Sequence, residues 1–242
     1  MSWLTLPEIL LLCMDDADIK VFNQALTKEW PEYQQNPKVT PLNENLNSLP
    51  ADENNTFDLI VSPANSYGRL DGGFDHAISR AFCLPTHSYH AVTEAAQATL
   101  YERWRGFAPP GTCTLVTLPK SLQDVNRWKC KYVALCPTMR TPSSVSWDRE
   151  VVYECVWSLL CELDAWNNRV DSHDRIRRIL MTPLATGAGR IPVERWARQF
   201  VLAMKHFVDA LEKPDRWTRL SWKDVMEEVD EVEATWEENG SI

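Results

Sequence analysis

Apolar positions along the chain fall into short continuous runs and longer periodic ones, and the two alternate. Residues 9–13 are continuously apolar and stop at Asp15 and Asp16, and residues 19–30 then carry apolar side chains at helical spacing, so a strand feeding a helix is expected. A polar stretch rich in Asn and Pro (34–55) follows. Residues 57–61 form the next short run, with the β-branched content of a buried strand, and it ends at Ser62 and Pro63. Further strands are expected at 112–118, 132–137 and 179–184, and helices at 73–82, 89–104, 149–166 and 193–211. Strand and helix in alternation argue for an α/β fold with a mainly parallel sheet covered by helices on both faces.

No internal repeat or low-complexity linker interrupts the 242 residues, and 44% hydrophobic content is ample for one sizeable core. Residues 222–236 read either as a short acidic helix docked by its aromatic and valine face or as a disordered end, docking being the preferred arrangement. The net charge of −9 is uneven: the last twenty residues hold eight acids and one lysine, a charge of −7, which leaves −2 for residues 1–222. A near-neutral body has no surplus of Lys and Arg for a nucleic-acid surface, so nucleic acid is not an expected partner and an anionic ligand would be held largely by backbone donors.

No apolar stretch is long enough to span a membrane, and Met1 to Leu4 lack the start of a secretory signal, so no membrane partner is expected and the protein reads as intracellular, cytoplasmic or nuclear. The seven cysteines show no C-x-x-C spacing and lie mostly in apolar runs, and no histidine or acidic pattern suits a metal, so reduced thiols, no metal site and no cofactor are expected. The eleven tryptophans read as packing residues.

Of eight glycines, five lie in two places, Gly68, Gly72 and Gly73 after one expected strand and Gly187 and Gly189 after another. Ligands of open α/β sheets settle beyond the carboxyl ends of strands, where glycine lets the backbone approach phosphate and a following helix offers free N–H groups. Ordinary tight turns are the plain alternative for each loop taken alone. The wording around the first is more particular: Ser62-Pro63-Ala64-Asn65-Ser66-Tyr67-Gly68, then Gly72-Gly73-Phe74-Asp75-His76-Ala77-Ile78. In the second, Pro183-Leu184-Ala185-Thr186-Gly187-Ala188-Gly189-Arg190-Ile191-Pro192, a proline opens the next helix.

Together these loops resemble the macrodomain family, in which an apolar strand ends in Asn, a glycine run follows, and a helix opens with an acid and a small-apolar pair. Asn65, Gly72, Gly73, Asp75, Ala77 and Ile78 match in order and spacing. The Ser-Pro-Ala-Asn-Ser-Tyr-Gly form is most similar to a fungal branch described as ADP-ribose 1″-phosphate phosphatase-like. The resemblance covers residues 9–211 in element order; residues 1–211 would form the macrodomain, with 212–242 as an acidic extension, packed on the domain or partly disordered, where many members have another strand. It implies a three-layer α/β/α fold with a mostly parallel mixed sheet, and ADP-ribose or a derivative as ligand, ADP-ribosylated proteins among the partners.

On that resemblance Asn65 fixes a ribose through its amide, although a turn residue bonding its own backbone is the alternative. Asp75, in the first helical turn where the dipole favours the ionised form, is the candidate base, against simple charge complementarity. His76 is a candidate proton donor or else a surface residue. Either Asp15 or Asp16 would accept from the adenine amino group while either caps the next helix. Ala64, Tyr67, Gly72, Gly73, Phe74, Thr186, Gly187, Ala188, Gly189 and Arg190 line the expected ligand site, with Arg140 reaching it from the loop after 132–137. The implied activity is a metal-independent hydrolase, ADP-ribose 1″-phosphate being the leading substrate and mono-ADP-ribosylated protein the next. A non-catalytic ADP-ribose reader is the competing class. No G-x-G-x-x-G follows the first strand, which disfavours a Rossmann-type dinucleotide protein.

Overall fold

The computed structural model describes residues 6–35 and 38–236. In chain order the strands are β1 (Glu8–Cys13), β2 (Val39–Asn43), β3 (Leu59–Ser62), β4 (Thr114–Thr117), β5 (Tyr132–Leu135) and β6 (Arg178–Met181). The helices are α1 (Asp16–Glu29), α2 (Gly73–Ala81), α3 (Ala91–Trp104), α4 (Lys120–Gln123), α5 (Val151–Asn167), α6 (Val193–Glu212), α7 (Pro214–Trp217) and α8 (Trp222–Glu233). The sheet runs β2-β1-β6-β3-β5-β4, and only β4 is antiparallel to its neighbour.

Every longer element expected from the hydrophobic pattern is present, and β2 is an addition. It lies in the polar stretch because it is an edge strand, paired on one side alone with β1, and its Pro41 sits opposite Leu11. An edge tolerates a proline, which has no N–H to donate, and edge polarity hides the strand's pattern. The same stretch supplies Leu46 and Leu49 to the core, and Phe57 just after it joins them. The strand expected at 179–184 stops at Met181, ahead of Pro183.

Alternate strand residues face two separate cores. Ile9, Leu11, Leu59, Val61, Ile179 and Met181 pack with α1, α5 and α6, where the rings of Phe22, Trp196 and Phe200 meet at centroid distances of 5.9–6.2 Å. Leu10, Leu12, Ile60, Leu180 and Val133 pack with α2 and α3 through Ile78, Phe82, Val92 and Ala96. Burial on both faces is why these strands read as unbroken apolar runs. The result is a three-layer α/β/α arrangement. Among the described residues no helix is long and apolar enough to cross a membrane.

Beyond α6, α7 and α8 fold back onto α5 and α6. Trp217 stacks on Trp157 at 5.5 Å, and a capping box between Ser221 and Asp224 starts α8. Buried His206 of α6 places Nε2 at 3.0 Å from both Glu228 and Glu231 of α8, with Nδ1 at 3.0 Å from the Tyr153 hydroxyl of α5. Lys205 also bonds Glu231, and Arg216 joins Asp209, Asp224 and Glu228. Burial alone would lower the imidazole's pKa, but the two carboxylates outweigh it and hold His206 above its ordinary 6.5.

A raised histidine pKa contributes stability that is complete below the unfolded value and is lost as pH rises through the folded one. The melting-temperature advantage of the wild type over His206→Gln is therefore expected to be largest below pH 6.5 and to shrink on titration to alkaline pH. Thermal scans of both proteins across that range check it, and a pH-independent gap would contradict a charged His206 as the α8 anchor.

Candidate functional site

Four consecutive parallel strands, β1, β6, β3 and β5, deliver their carboxyl ends to one edge of the sheet, and with them all the loops singled out above. Asp15 and Asp16 follow β1, residues 183–190 follow β6, residues 63–72 follow β3, and Arg140 follows β5. At about 4.8 Å per strand the row spans roughly 14 Å. Between β6 and β3 the chain also switches sides. The helix after β6 packs in one core and the helix after β3 in the other, so their loops diverge, and it is between such diverging loops that open α/β sheets take ligands.

The loop after β3 is fixed from within. Asn65 Oδ1 accepts from the N–H groups of Tyr67 (3.1 Å) and Arg69 (3.3 Å), and its Nδ2 donates to the Arg69 carbonyl (2.7 Å). The side chain is thus a brace of its own loop, the turn alternative weighed above, and one Nδ2 hydrogen is not used in these bonds. Leu70 plugs the core, its N–H bonded to Thr93 Oγ1 at 3.3 Å and its carbonyl to Ser79 Oγ at 2.5 Å. Gly68 turns with φ of 63°, where a side chain is strained, and an added Cβ would come within 2.8 Å of Leu100 Cδ1, which would have to shift. Gly72 and Gly73, by contrast, have no atom within 4 Å of an added Cβ. Gly72 caps α2 without a side chain, so the first amides of that helix keep no side-chain partner.

Asp75, in the first turn of α2, is buried and accepts from Ser62 Oγ at 2.6 Å. Burial pushes its carboxyl from 3.8 up to about 7; the Ser62 hydroxyl works against this and Asp71 adds to it. The expectation of a carboxylate kept ionised by the helix dipole is corrected here, because desolvation exceeds the dipole and leaves the group poised near neutrality. Ser62, the last residue of β3, was missed as a site residue. Its only sequence signal is its place between the strand and the glycine loop.

The loop after β6 divides in function. Gly187 is exposed and an added Cβ there meets nothing within 4 Å, whereas Gly189 is buried and a Cβ would stand 2.4 Å from the Ala185 carbonyl. Gly189 is therefore a turn glycine, its carbonyl accepting from Val145 N at 2.8 Å. Thr186 Oγ1 donates to the Pro183 carbonyl at 3.2 Å; Ala188 and Arg190 are exposed, Arg190 with φ of 56°.

Other expected residues lie as follows. Ala64 is fully buried in the core under the loop, and its carbonyl accepts from Thr138 N. His76 is exposed, and its Nδ1 is 2.7 Å from the Tyr89 hydroxyl, so the structure gives no geometric basis for a proton donor beside Asp75. Asp15 caps α1 by accepting from Ala17 N at 2.7 Å, while Asp16 accepts from Asn43 Nδ2 at 2.8 Å; both are exposed. Phe74 packs on the α2–α3 core. Tyr67 and Arg140 meet, and Phe107 joins them. Among the described residues no three His, Cys, Asp or Glu side chains gather as a metal site requires.

A carboxyl whose folded pKa lies above its unfolded one opposes folding as pH rises. Below about pH 4 both states are protonated; between there and about pH 7 the unfolded state alone ionises and stability falls. Asp75→Asn, which can keep the Ser62 bond, is expected to be more stable than the wild type at neutral pH by on the order of a few kcal/mol. Denaturant titrations at acidic and neutral pH measure this, and the gap must close at the acidic end.

No family model matches the sequence, and no curated protein matches it. Among solved structures the chain is similar to the Oceanobacillus iheyensis macrodomain with ADP, at 16% identity over 63% of this chain and 70% of that one, with a TM-score of 0.46. The Oceanobacillus iheyensis macrodomain with MES bound gives 15% identity over 74% and 85%, also with a TM-score of 0.46. The macrodomain of Mycobacterium tuberculosis DarG gives 18% identity over 63% and 84%, with a TM-score of 0.43.

Proposed function

We propose that the chain is a macrodomain that binds ADP-ribose and hydrolyses a derivative of it, with removal of the terminal phosphate from ADP-ribose 1″-phosphate as the activity. The observation that carries this is the side-by-side placement of the loops after the adjacent parallel strands β3 and β6. Gly72 and Gly73 on one side and Gly187 on the other leave open space where a side chain would stand, and a buried carboxyl near neutral pKa lies at the start of the same helix. The macrodomain-like wording of the two loops supports the same reading.

In this reading the diphosphate lies on the amides of Gly72, Gly73 and 187–190, and the adenine lies toward Asp15 and Asp16. Asp75, held by Ser62, takes a proton from water attacking the phosphorus; the bond from phosphorus to the ribose oxygen breaks, that oxygen takes up the proton from Asp75, and ADP-ribose and inorganic phosphate leave. Asn65 keeps the loop in shape and offers its remaining amide hydrogen to the distal ribose. A non-catalytic reader remains the second reading, favoured by the commitment of the Asn65 amide to its own loop.

Calorimetry with ADP-ribose, followed by phosphate release from ADP-ribose 1″-phosphate, tests both. Asp75→Asn is expected to retain ADP-ribose binding and to lose about 10²- to 10⁴-fold in turnover, and wild-type kcat is expected to rise with pH through about 7 as Asp75 ionises. Binding without phosphate release favours the reader or a protein-linked substrate, which ADP-ribosylated protein added to the same assay separates. Gly187→Ala fills open space, so its stability is expected to stay within about 0.5 kcal/mol of wild type while ADP-ribose affinity falls at least about tenfold. Unchanged affinity in that variant would remove Gly187 from the binding surface.

A further inference from the structure

On the β5 side of the candidate site three loops are fused. Asn65 bridges to Met139, Ser66 N donates to the Met139 carbonyl at 3.0 Å and the Arg140 carbonyl at 3.3 Å, and Ala108 N donates to the Ser66 carbonyl at 2.9 Å. On this base Arg140 is held in two ways. Its Nε donates to the Tyr67 hydroxyl at 3.1 Å, and its guanidinium carbon stands 5.2 Å from the centroid of the Phe107 ring, which itself meets Tyr67 edge-on at 5.7 Å.

Several restrained arginines of this chain are held by acids, while others, such as Arg127 and Arg149, lie over aromatic rings without one among the described residues. Arg69 pairs with Asp71, Arg103 with Glu162, Arg178 with Glu8 and Arg198 with Glu29. Among the described residues no carboxylate lies within ion-pair distance of Arg140, which is exposed. Ordering an arginine costs side-chain entropy, and here no internal charge offsets it. With Nε occupied by a neutral hydroxyl and one face on an aromatic ring, the two terminal amino groups remain, in the planar fork that matches phosphate oxygens.

Strand order says which phosphate. If adenine lies by β1 and the diphosphate between β6 and β3, β5 lies beyond the distal ribose. We propose that Arg140, propped by Tyr67 and Phe107, recognises a phosphomonoester on the distal ribose and makes the site selective for terminally phosphorylated ADP-ribose over ADP-ribose itself. This rests on the functional reading given above. Arg140 is the specificity residue, and Tyr67 and Phe107 act through it as positioning residues.

The test uses the full chain carrying Asp75→Asn, so that ADP-ribose 1″-phosphate survives a titration, with ADP-ribose as the second probe. The phosphorylated ligand is expected to bind more tightly than ADP-ribose, and adding Arg140→Ala to weaken it by about 10- to 100-fold while ADP-ribose affinity changes by less than about twofold. Arg140→Lys is not expected to restore the preference, because an ammonium cannot make the paired contact. Tyr67→Phe, which removes only the hydroxyl that holds Nε, is expected to weaken the phosphorylated ligand alone, by a smaller factor. Equal affinity of the two ligands, or equal weakening of both by Arg140→Ala, overturns the proposal and leaves the binding function standing. Failure of the wild type to bind ADP-ribose at all overturns the functional reading, and the proposal falls with it.

Discussion

β3 pairs with β6 over only two residue pairs, Leu59 with Ile179 and Ile60 with Leu180. A ladder this short in the middle of a sheet needs support, and Asp58 provides it at the amino end. Its carboxylate accepts from the N–H groups of Arg177 (2.8 Å) and Arg178 (3.0 Å), while its own N–H donates to the Arg178 carbonyl (2.9 Å). Full burial of all four paired side chains does the rest. Because the two strands are parallel and adjacent, their following loops leave side by side, and because α2 and α6 lie on opposite faces, those loops diverge. Both the divergence of the loops and the meeting of the two glycine segments, far apart in sequence, follow from this one pairing.

Asp75 shows what the site costs the fold. A carboxyl in the first turn of a helix is ordinarily stabilising through the dipole, yet here it is turned inward toward Ser62 and loses its hydration. Desolvation raises its pKa to about 7, so that near neutrality it opposes folding while becoming able to exchange a proton with a bound group. The surrounding loop resists the corresponding relaxation. Asn65, Thr93 and Ser79 hold it by hydrogen bonds, and Leu70 anchors it in the core. The result is a rigid loop over a desolvated carboxyl.

How much of this was legible in the sequence depends on the kind of signal. Central strands announced themselves because both their faces are buried, and the two glycine loops because glycine is otherwise scarce. β2 was hidden because an edge strand with Pro41 has neither a continuous apolar run nor clean alternation. Within the loops, residue type could not separate a glycine that leaves room for a ligand, Gly187, from one that closes a turn, Gly189; that distinction lies in a 2.4 Å approach to a carbonyl. The same limit applies to Ala64, whose residue type does not reveal that its side chain packs in the core. Phe107 carried no signal at all, since its relation to Arg140 and Tyr67 arises only when the segment before β4 is folded against the loops after β3 and β5.

The acidic C-terminal segment is joined to the ligand side of the molecule by a chain of contacts. Arg195 near the start of α6 donates to the carbonyls of both Ser146 and Trp236, and Gln199 bonds the Arg149 carbonyl and the Thr235 hydroxyl. The segment containing Ser146 and Arg149 in turn meets the second glycine loop, since Val145 N donates to the Gly189 carbonyl. Residues 234–236 thus hold the connection between β5 and α5 against α6, and that connection holds Gly189. The His206 cluster secures α8 to α6 and α5 and so secures the far end of the same chain of contacts. An extension that looks dispensable by charge and by position outside the sheet is, by its hydrogen bonds, part of what keeps one side of the candidate site in place.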